Sequence, residues 1–278
     1  IRFIPDKTII NPEFAYQFTR SAFCQAILIG SKRGGVQKNI NAKQISSIPI
    51  PLPPMNLQND FIEFVHEIDK SKAICKQIFQ SFDNLVKSRF IEMFDSQLFE
   101  SKKLADLFKT SSGGTPLKSK KEYYEDGTIP WLTSGEIDRL HIDFARSNIT
   151  QRALDETSAK IPPVKSVLVS MYGSVGYAGI LEFEAAINQA ICAIHPNPRF
   201  SPEWLCYYMR SKKDELTNQA VGAALNNISQ EKIRNLRVPC PPLELQNEFT
   251  DFVRQVDKSK FEVVQSLLKL KDSMKSSQ

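Results

Sequence analysis

The sequence lacks an apolar run near the roughly 18 residues that a membrane-spanning helix needs, and its opening residues Ile1-Arg2-Phe3-Ile4-Pro5 are not a signal peptide. Cysteine is sparse: Cys24, Cys75, Cys192, Cys206 and Cys240 are odd in number and form no C-x-x-C pair. That excludes a disulfide framework and a zinc site, and it reads as free thiols in a reducing, cytoplasmic compartment. The three histidines, His66, His141 and His195, are scattered, and His66 reads as a solvated side chain on a helix. No H-E-x-x-H, G-x-S-x-G or G-x-x-x-x-G-K-[ST] is present. Gly173, Gly176 and Gly179 have the wrong spacing for a dinucleotide fingerprint. The Pro-Pro pairs at 53, 162 and 241 lack the flanking residues of an adenine methyltransferase site, and no E-x-K partners Asp6 as in a nuclease. The inventory assembles no active site, so the chain reads as a non-catalytic reader or adaptor.

Glycine and proline are also absent from two long stretches, 55–95 and 243–278. Each follows a Pro-Pro pair, which marks a helix start because proline fits only a first turn. The two stretches open on one motif. Between 53 and 72, twelve of twenty residues recur 188 positions later: Pro53, Pro54, Leu57, Gln58, Asn59, Phe61, Phe64, Val65, Asp69, Lys70, Ser71 and Lys72. A period this long is a duplicated domain, not a solenoid. Apolar residues then follow steps of four and three, through Phe61, Val65, Ile68, Phe82 and Val86 in the first copy and Phe249, Val253, Val256 and Val263 in the second. Such heptad seams predict two long helices that pack on each other, antiparallel if a two-fold relates the repeats. Lys72 and Lys260 interrupt the seams at matching places.

The duplication reaches further back. Asn11-Pro12-Glu13-Phe14 reads as a capped helix start, and Ser201-Pro202-Glu203-Trp204 is its counterpart. Residues 34–40 match 222–228, and 45–52 match 233–240, each read as a short helix feeding an apolar strand. Only the second copy has a complete domain before its long helix. There Ile129-Pro130-Trp131-Leu132 and Val167-Leu168-Val169-Ser170-Met171-Tyr172 read as strands, with a further strand between Ala185 and Ile194. Hydrophobic residues make up 41% of the chain and charged ones 24%, so it is globular, and the net charge of +5 is only mildly basic. The predicted fold class is α+β. A mixed α/β domain with many short strands occupies 97–242, and the remnant of an equivalent domain occupies 1–54. The helices span 55–96 and 243–278 as an antiparallel coiled coil.

In this order, Gly113-Gly114-Thr115-Pro116, Ile129 to Ile137, Ser170-Met171-Tyr172-Gly173-Ser174-Val175-Gly176, Asn188-Gln189-Ala190-Ile191 and the Pro-Pro-Leu-x-x-Gln element at 241–246 carry a resemblance. The chain resembles the specificity subunit of type I restriction–modification systems over essentially its whole length. The departure is a first target-recognition domain truncated on its N-terminal side. The resemblance implies a subunit that reads double-stranded DNA, with two recognition domains and a helix pair that sets the gap between half-sites. It implies methylation subunits using S-adenosylmethionine and restriction subunits using ATP and Mg for translocation and cleavage, with none of these cofactors on this chain. The alternative is a truncated scaffold, or a homodimer that reads a palindromic site.

Base reading requires donors and acceptors on loops that enter a groove, whereas phosphate contacts only position. Three loops of the complete domain qualify. The first holds Thr115, Lys118, Lys120, Lys121 and Tyr123, with lysines to meet phosphates. The second holds Thr133, Ser134 and Glu136, the carboxylate being an acceptor for a cytosine amine. The third holds Tyr172, Gly173 and Ser174. Asn226 and Asn227 form a weaker fourth.

Overall fold

The computed structural model describes residues 4–30, 45–94, 98–220 and 227–276. The chain divides into two compact units, Ile1–Gln80 and Ser81–Gln278.

The first unit holds two short helices, α1 (Pro12–Arg20) and α2 (Ala22–Gly30), and the beginning of the long helix α3 (Met55–Phe94). Asn11 caps α1, its Oδ1 accepting from the Glu13 and Phe14 amides, with Pro12 in the first turn. At about 1.5 Å per residue, the 40 residues of α3 span about 60 Å. The predicted strand near 45–52 does not form: after a helical turn at Ile45, residues 49–54 are irregular. No described strand pairs with them. The predicted match at residues 34–40 lies outside the described residues.

The second unit contains the last part of α3 and the complete domain. Its elements are β1 (Ser101–Lys103), α4 (Leu104–Leu107), β2 (Thr110–Ser112), β3 (Ile129–Leu132), β4 (His141–Ile142), β5 (Ser147–Ile149) and α5 (Gln151–Glu156). These are followed by β6 (Val167–Ser170), β7 (Ala178–Leu181), β8 (Ala186–Ile187), β9 (Ile191–Ile194), α6 (Pro202–Ser211), α7 (Lys213–Ala220), α8 (Gln230–Arg234), β10 (Arg237–Pro239) and α9 (Leu243–Ser276). A five-stranded sheet runs β2-β9-β6-β7-β4, antiparallel except for the β7–β4 pair. A three-stranded sheet runs β5-β3-β8. β1 pairs with β10 and closes the domain just before α9, in register Ser101 to Pro239.

Side chains alternate across β6, and both faces are covered, which is why the strand reads as an unbroken apolar run. Val167 and Val169 enter the core shared with α3, α6 and α9, while Leu168 enters a second core with Leu132, Ile142, Ile187 and Ile191. Phe90 and Phe94 of α3 meet Phe249 of α9 with ring centroids 5.3 and 5.6 Å apart. Over this stretch α3 and α9 run antiparallel, since Asp83 Oδ1 accepts from Lys260 Nζ at 2.8 Å and Arg89 donates to Glu248 at 3.2 Å. The seam lysine Lys260 is thus held by an ion pair rather than left facing apolar groups. The end of α3, from Val86 to Phe94, packs in the core of the following domain.

The duplication is visible in atoms. Gln58 is buried, and its Oε1 accepts from Asn11 N at 2.8 Å, while Nε2 donates to Ile9 O and Pro53 O at 3.1 and 2.8 Å. Gln246 is equally buried: Oε1 accepts from Ser201 N at 2.8 Å, and Nε2 donates to Arg199 O and Pro241 O at 3.2 and 2.9 Å. In each repeat one amide ties the cap of the short helix to the Pro-Pro entry of the long one. Glu13 pairs with His66 at 2.8 Å and Glu203 with Arg254 at 3.6 Å, again at equivalent places. His66 is exposed, as expected from the sequence, but carries this partner.

Candidate nucleic-acid interface

Four loops of the complete domain are knitted together through the β8–β9 turn by hydrogen bonds between distant residues. β3 and β8 are parallel neighbours, so their ends emerge side by side, and Asn188 N donates to Leu132 O at 3.0 Å. This brings the Thr133 loop against the β8–β9 turn. Thr115 Oγ1 donates to Gln189 Oε1 in that turn. Ala190 O accepts from Met171 N at 2.7 Å, adding the loop after β6. Tyr172 forms an isolated bridge with Asn227, and Ile228 N donates to Met171 O at 3.0 Å. The surface so formed exposes Thr115, Gln189, Tyr172, Gly173 and Ser174, with Thr133, Ser134 and Asn227 half-buried. Gly173 has φ of +75°, and a Cβ placed there meets nothing within 4 Å, so the backbone is open to solvent.

The predicted residues separate into two groups. Thr115, Thr133, Ser134, Tyr172, Gly173, Ser174 and Asn227 come together here. Asn226 lies outside the described residues. Tyr123 does not fit the role assigned to it. It is 3% exposed in a small core with Trp131 and Ile149, and its hydroxyl donates to Glu156 at 2.9 Å. Lys120 donates to that same hydroxyl at 2.9 Å, a bond that holds its pKa above the usual lysine value. Lys121 sits 3.8 Å from Glu125, and Lys118 is exposed with no bonded partner among the described residues.

Glu136 also departs from its predicted role. It is 4% exposed, with Oε2 accepting from Thr133 N and Oγ1 at 2.9 and 2.8 Å and Oε1 accepting from Arg146 N at 2.8 Å. Thr133 and Glu136 form a capping box around a single 3-10 turn, Ser134–Glu136. Both oxygens are occupied, so none faces a cytosine; the residue braces the loop. Glu136→Gln should therefore lower stability by about 1–3 kcal/mol, because an amide nitrogen would face backbone donors. Urea unfolding of the variant checks this, and a change near zero would remove the brace.

Gly113 serves packing: a Cβ there would sit 1.7 Å from Ile187 O. Asn188 is buried and its Oδ1 accepts from Ala190 N at 3.1 Å, shaping the turn that presents Gln189. Gln189 stands in a motif that carries the resemblance but was not among the residues expected to contact DNA.

Among the described residues nearby, no catalytic centre is assembled. His195 Nε2 lies 2.8 Å from Ser111 Oγ, but no carboxylate partners the ring among the described residues, and burial lowers its pKa. Burial pushes the Cys192 thiol up to about 12 and Cys206 up to about 11, so neither is a poised thiolate.

The sequence corresponds to one protein class. Residues 1–81 and 97–270 match the family described as type I restriction modification DNA specificity domain. The chain belongs to that family. It is similar to the type I restriction enzyme EcoR124I/EcoR124II specificity subunit of Escherichia coli, with 24% identity over 76% of this chain and 55% of that one. It is 26% identical to the type I restriction enzyme MjaIX specificity subunit of Methanocaldococcus jannaschii, over 57% of this chain and 38% of that one. The chain therefore spans about half the length, or less, of these two curated relatives. Among solved structures, the HsdS subunit from Thermoanaerobacter tengcongensis shares the fold, with a TM-score of 0.52 and 20% identity over 94% of this chain and 66% of that one. The type I S subunit from M. genitalium does so with a TM-score of 0.52 and 15% identity, over 98% of this chain and 72% of that one.

Proposed function

We propose that this chain is the DNA-reading subunit of a type I restriction–modification assembly in the cytoplasm. The domain ending at β10 reads one half-site through the loops around Gln189. The long helices dock the methylation and restriction subunits, and the chain itself catalyses nothing. S-adenosylmethionine, ATP and Mg act on those partner subunits. The observation that supports the reading is the knitting of four loops into one polar, partly exposed surface in a chain of this family. Loops fixed by non-local hydrogen bonds can present donors and acceptors to base edges at a defined spacing.

A second reading is that two such chains pair. Two copies of the chain would then each supply one complete domain, and the target would be palindromic.

Co-expression with the methylation subunit, followed by mapping of N6-methyladenine across host DNA, tests both. Methylation at a two-part site with unlike halves is the result expected if the first unit also contributes to reading. A palindromic site favours the paired chain. Co-purification without methylation would leave a scaffold, and no co-purification would overturn the assembly.

A further inference from the structure

We infer that Lys213 binds a phosphate of the DNA backbone beside the Tyr172–Ser174 loop and so fixes the register of the domain on the duplex; this rests on the DNA-reading function proposed above. Lys213 opens α7, yet its ammonium reaches back to lie 4.1 Å from the centroid of the exposed Tyr177 ring. Tyr177 N donates to Ser174 O at 3.3 Å, so the charge stands at the end of the open loop. The approach depends on Gly176, whose φ is +80° and where a Cβ would lie 2.9 Å from Lys213 Cα. A side chain at 176 would displace the lysine.

The charge itself is uncompensated. No carboxylate lies within pairing distance of Lys213 among the described residues, Asp214 included. Its neighbours are spent: Lys212 pairs with Glu215 at 3.0 Å, and Arg139 pairs with Asp143 at 3.3 Å. Arg210 donates to the Ala178 and Asp138 carbonyls at 3.0 and 3.3 Å. Of the lysines assigned to phosphates by sequence, Lys120 and Lys121 are engaged by Tyr123 and Glu125. A cation held over a ring keeps a defined position while its outer side stays free for an anion. A phosphodiester is the anion that would lie next to a loop reading bases, and such a contact positions without specifying.

Each phosphate neutralised releases counterions, giving about 0.9 in the slope of log affinity against log salt. The test is a salt series of anisotropy titrations with a mixed-sequence duplex, using the chain in complex with its methylation subunit. Lys213→Ala should flatten the slope by about 0.9, weaken target and non-target duplexes alike, and leave the melting temperature and methylated sequence unchanged. Lys213→Arg should restore the slope. An unchanged slope in Lys213→Ala, with or without a lower melting temperature, would overturn the inference while the wild-type complex still binds. Absence of binding by the wild-type complex would overturn the DNA-reading function with it.

Discussion

Phe249→Ala is expected to destabilise the second unit by about 3–5 kcal/mol. Phe249 is fully buried where the two long helices and the complete domain meet. Its ring lies 5.3 Å from Phe90, 5.6 Å from Phe94 and 5.3 Å from Tyr207, all edge-on. Truncation removes the transfer energy of the ring and opens a cavity between three rigid aromatic groups. Those groups are held from elsewhere: Phe94 against Trp204 at 5.7 Å, and Trp204 stacked on Tyr208 at 5.8 Å. They cannot all close on the space at once. Urea unfolding followed by circular dichroism should show a lower midpoint with an unchanged slope. A loss under about 1 kcal/mol would mean that the site collapses freely. Phe61, the matching residue of the first repeat, is 43% exposed, and Phe61→Ala should cost less than half as much.

The second large effect belongs to Gln246→Leu. The substitution conserves volume but strands three backbone groups: the Ser201 N–H and the Arg199 and Pro241 carbonyls. Ser201 and Pro241 are buried, so water does not replace what is lost, whereas Arg199 is exposed and its carbonyl contributes less. Unsatisfied buried groups cost about 1–3 kcal/mol each, so a total of about 2–5 kcal/mol is expected. For a unit of this size that corresponds to a fall of about 5–15 °C in melting temperature. Gln58→Leu should act in the same sense on the first unit, where the glutamine makes the equivalent three bonds. A melting temperature within about 2 °C of wild type for Gln246→Leu would show that the clamp does not hold the two helices.

These two residues show where sequence sufficed. Phe249 and Gln246 both belong to the repeated Pro-Pro motif, and both recur at a fixed offset. The helices themselves were legible because their periodicity and their lack of glycine and proline act locally. The strands of the complete domain were legible for the same reason, as short apolar runs between turn residues. The strand expected at 45–52 failed because a ladder needs a neighbour, and no local pattern supplies one.

The site was legible only in part. Loop composition singled out Thr115, Thr133, Ser134, Tyr172, Gly173, Ser174 and Asn227 as candidates, and the structure gathers them on one surface. Glu136 was misassigned although Thr133-x-x-Glu136 is itself the pattern of a capping box. Lys120 and Tyr123 are three residues apart, and their bond competes with the outward role given to both. Gln189 entered only within the motif that carries the resemblance, and Lys213 carries no such pattern. Lys213 lies far along the chain from Tyr177, and Gln189 is farther still from Thr115, 74 residues away.

The sequence by itself determined the elements, the duplication and the absence of a recognisable catalytic motif, because each is written in neighbouring residues or in a constant spacing. Tertiary structure alone decided which polar groups are free. A side chain's availability depends on whether some donor or acceptor has already taken it, and only the packed chain brings the Arg146 amide to Glu136 and Gln189 to Thr115.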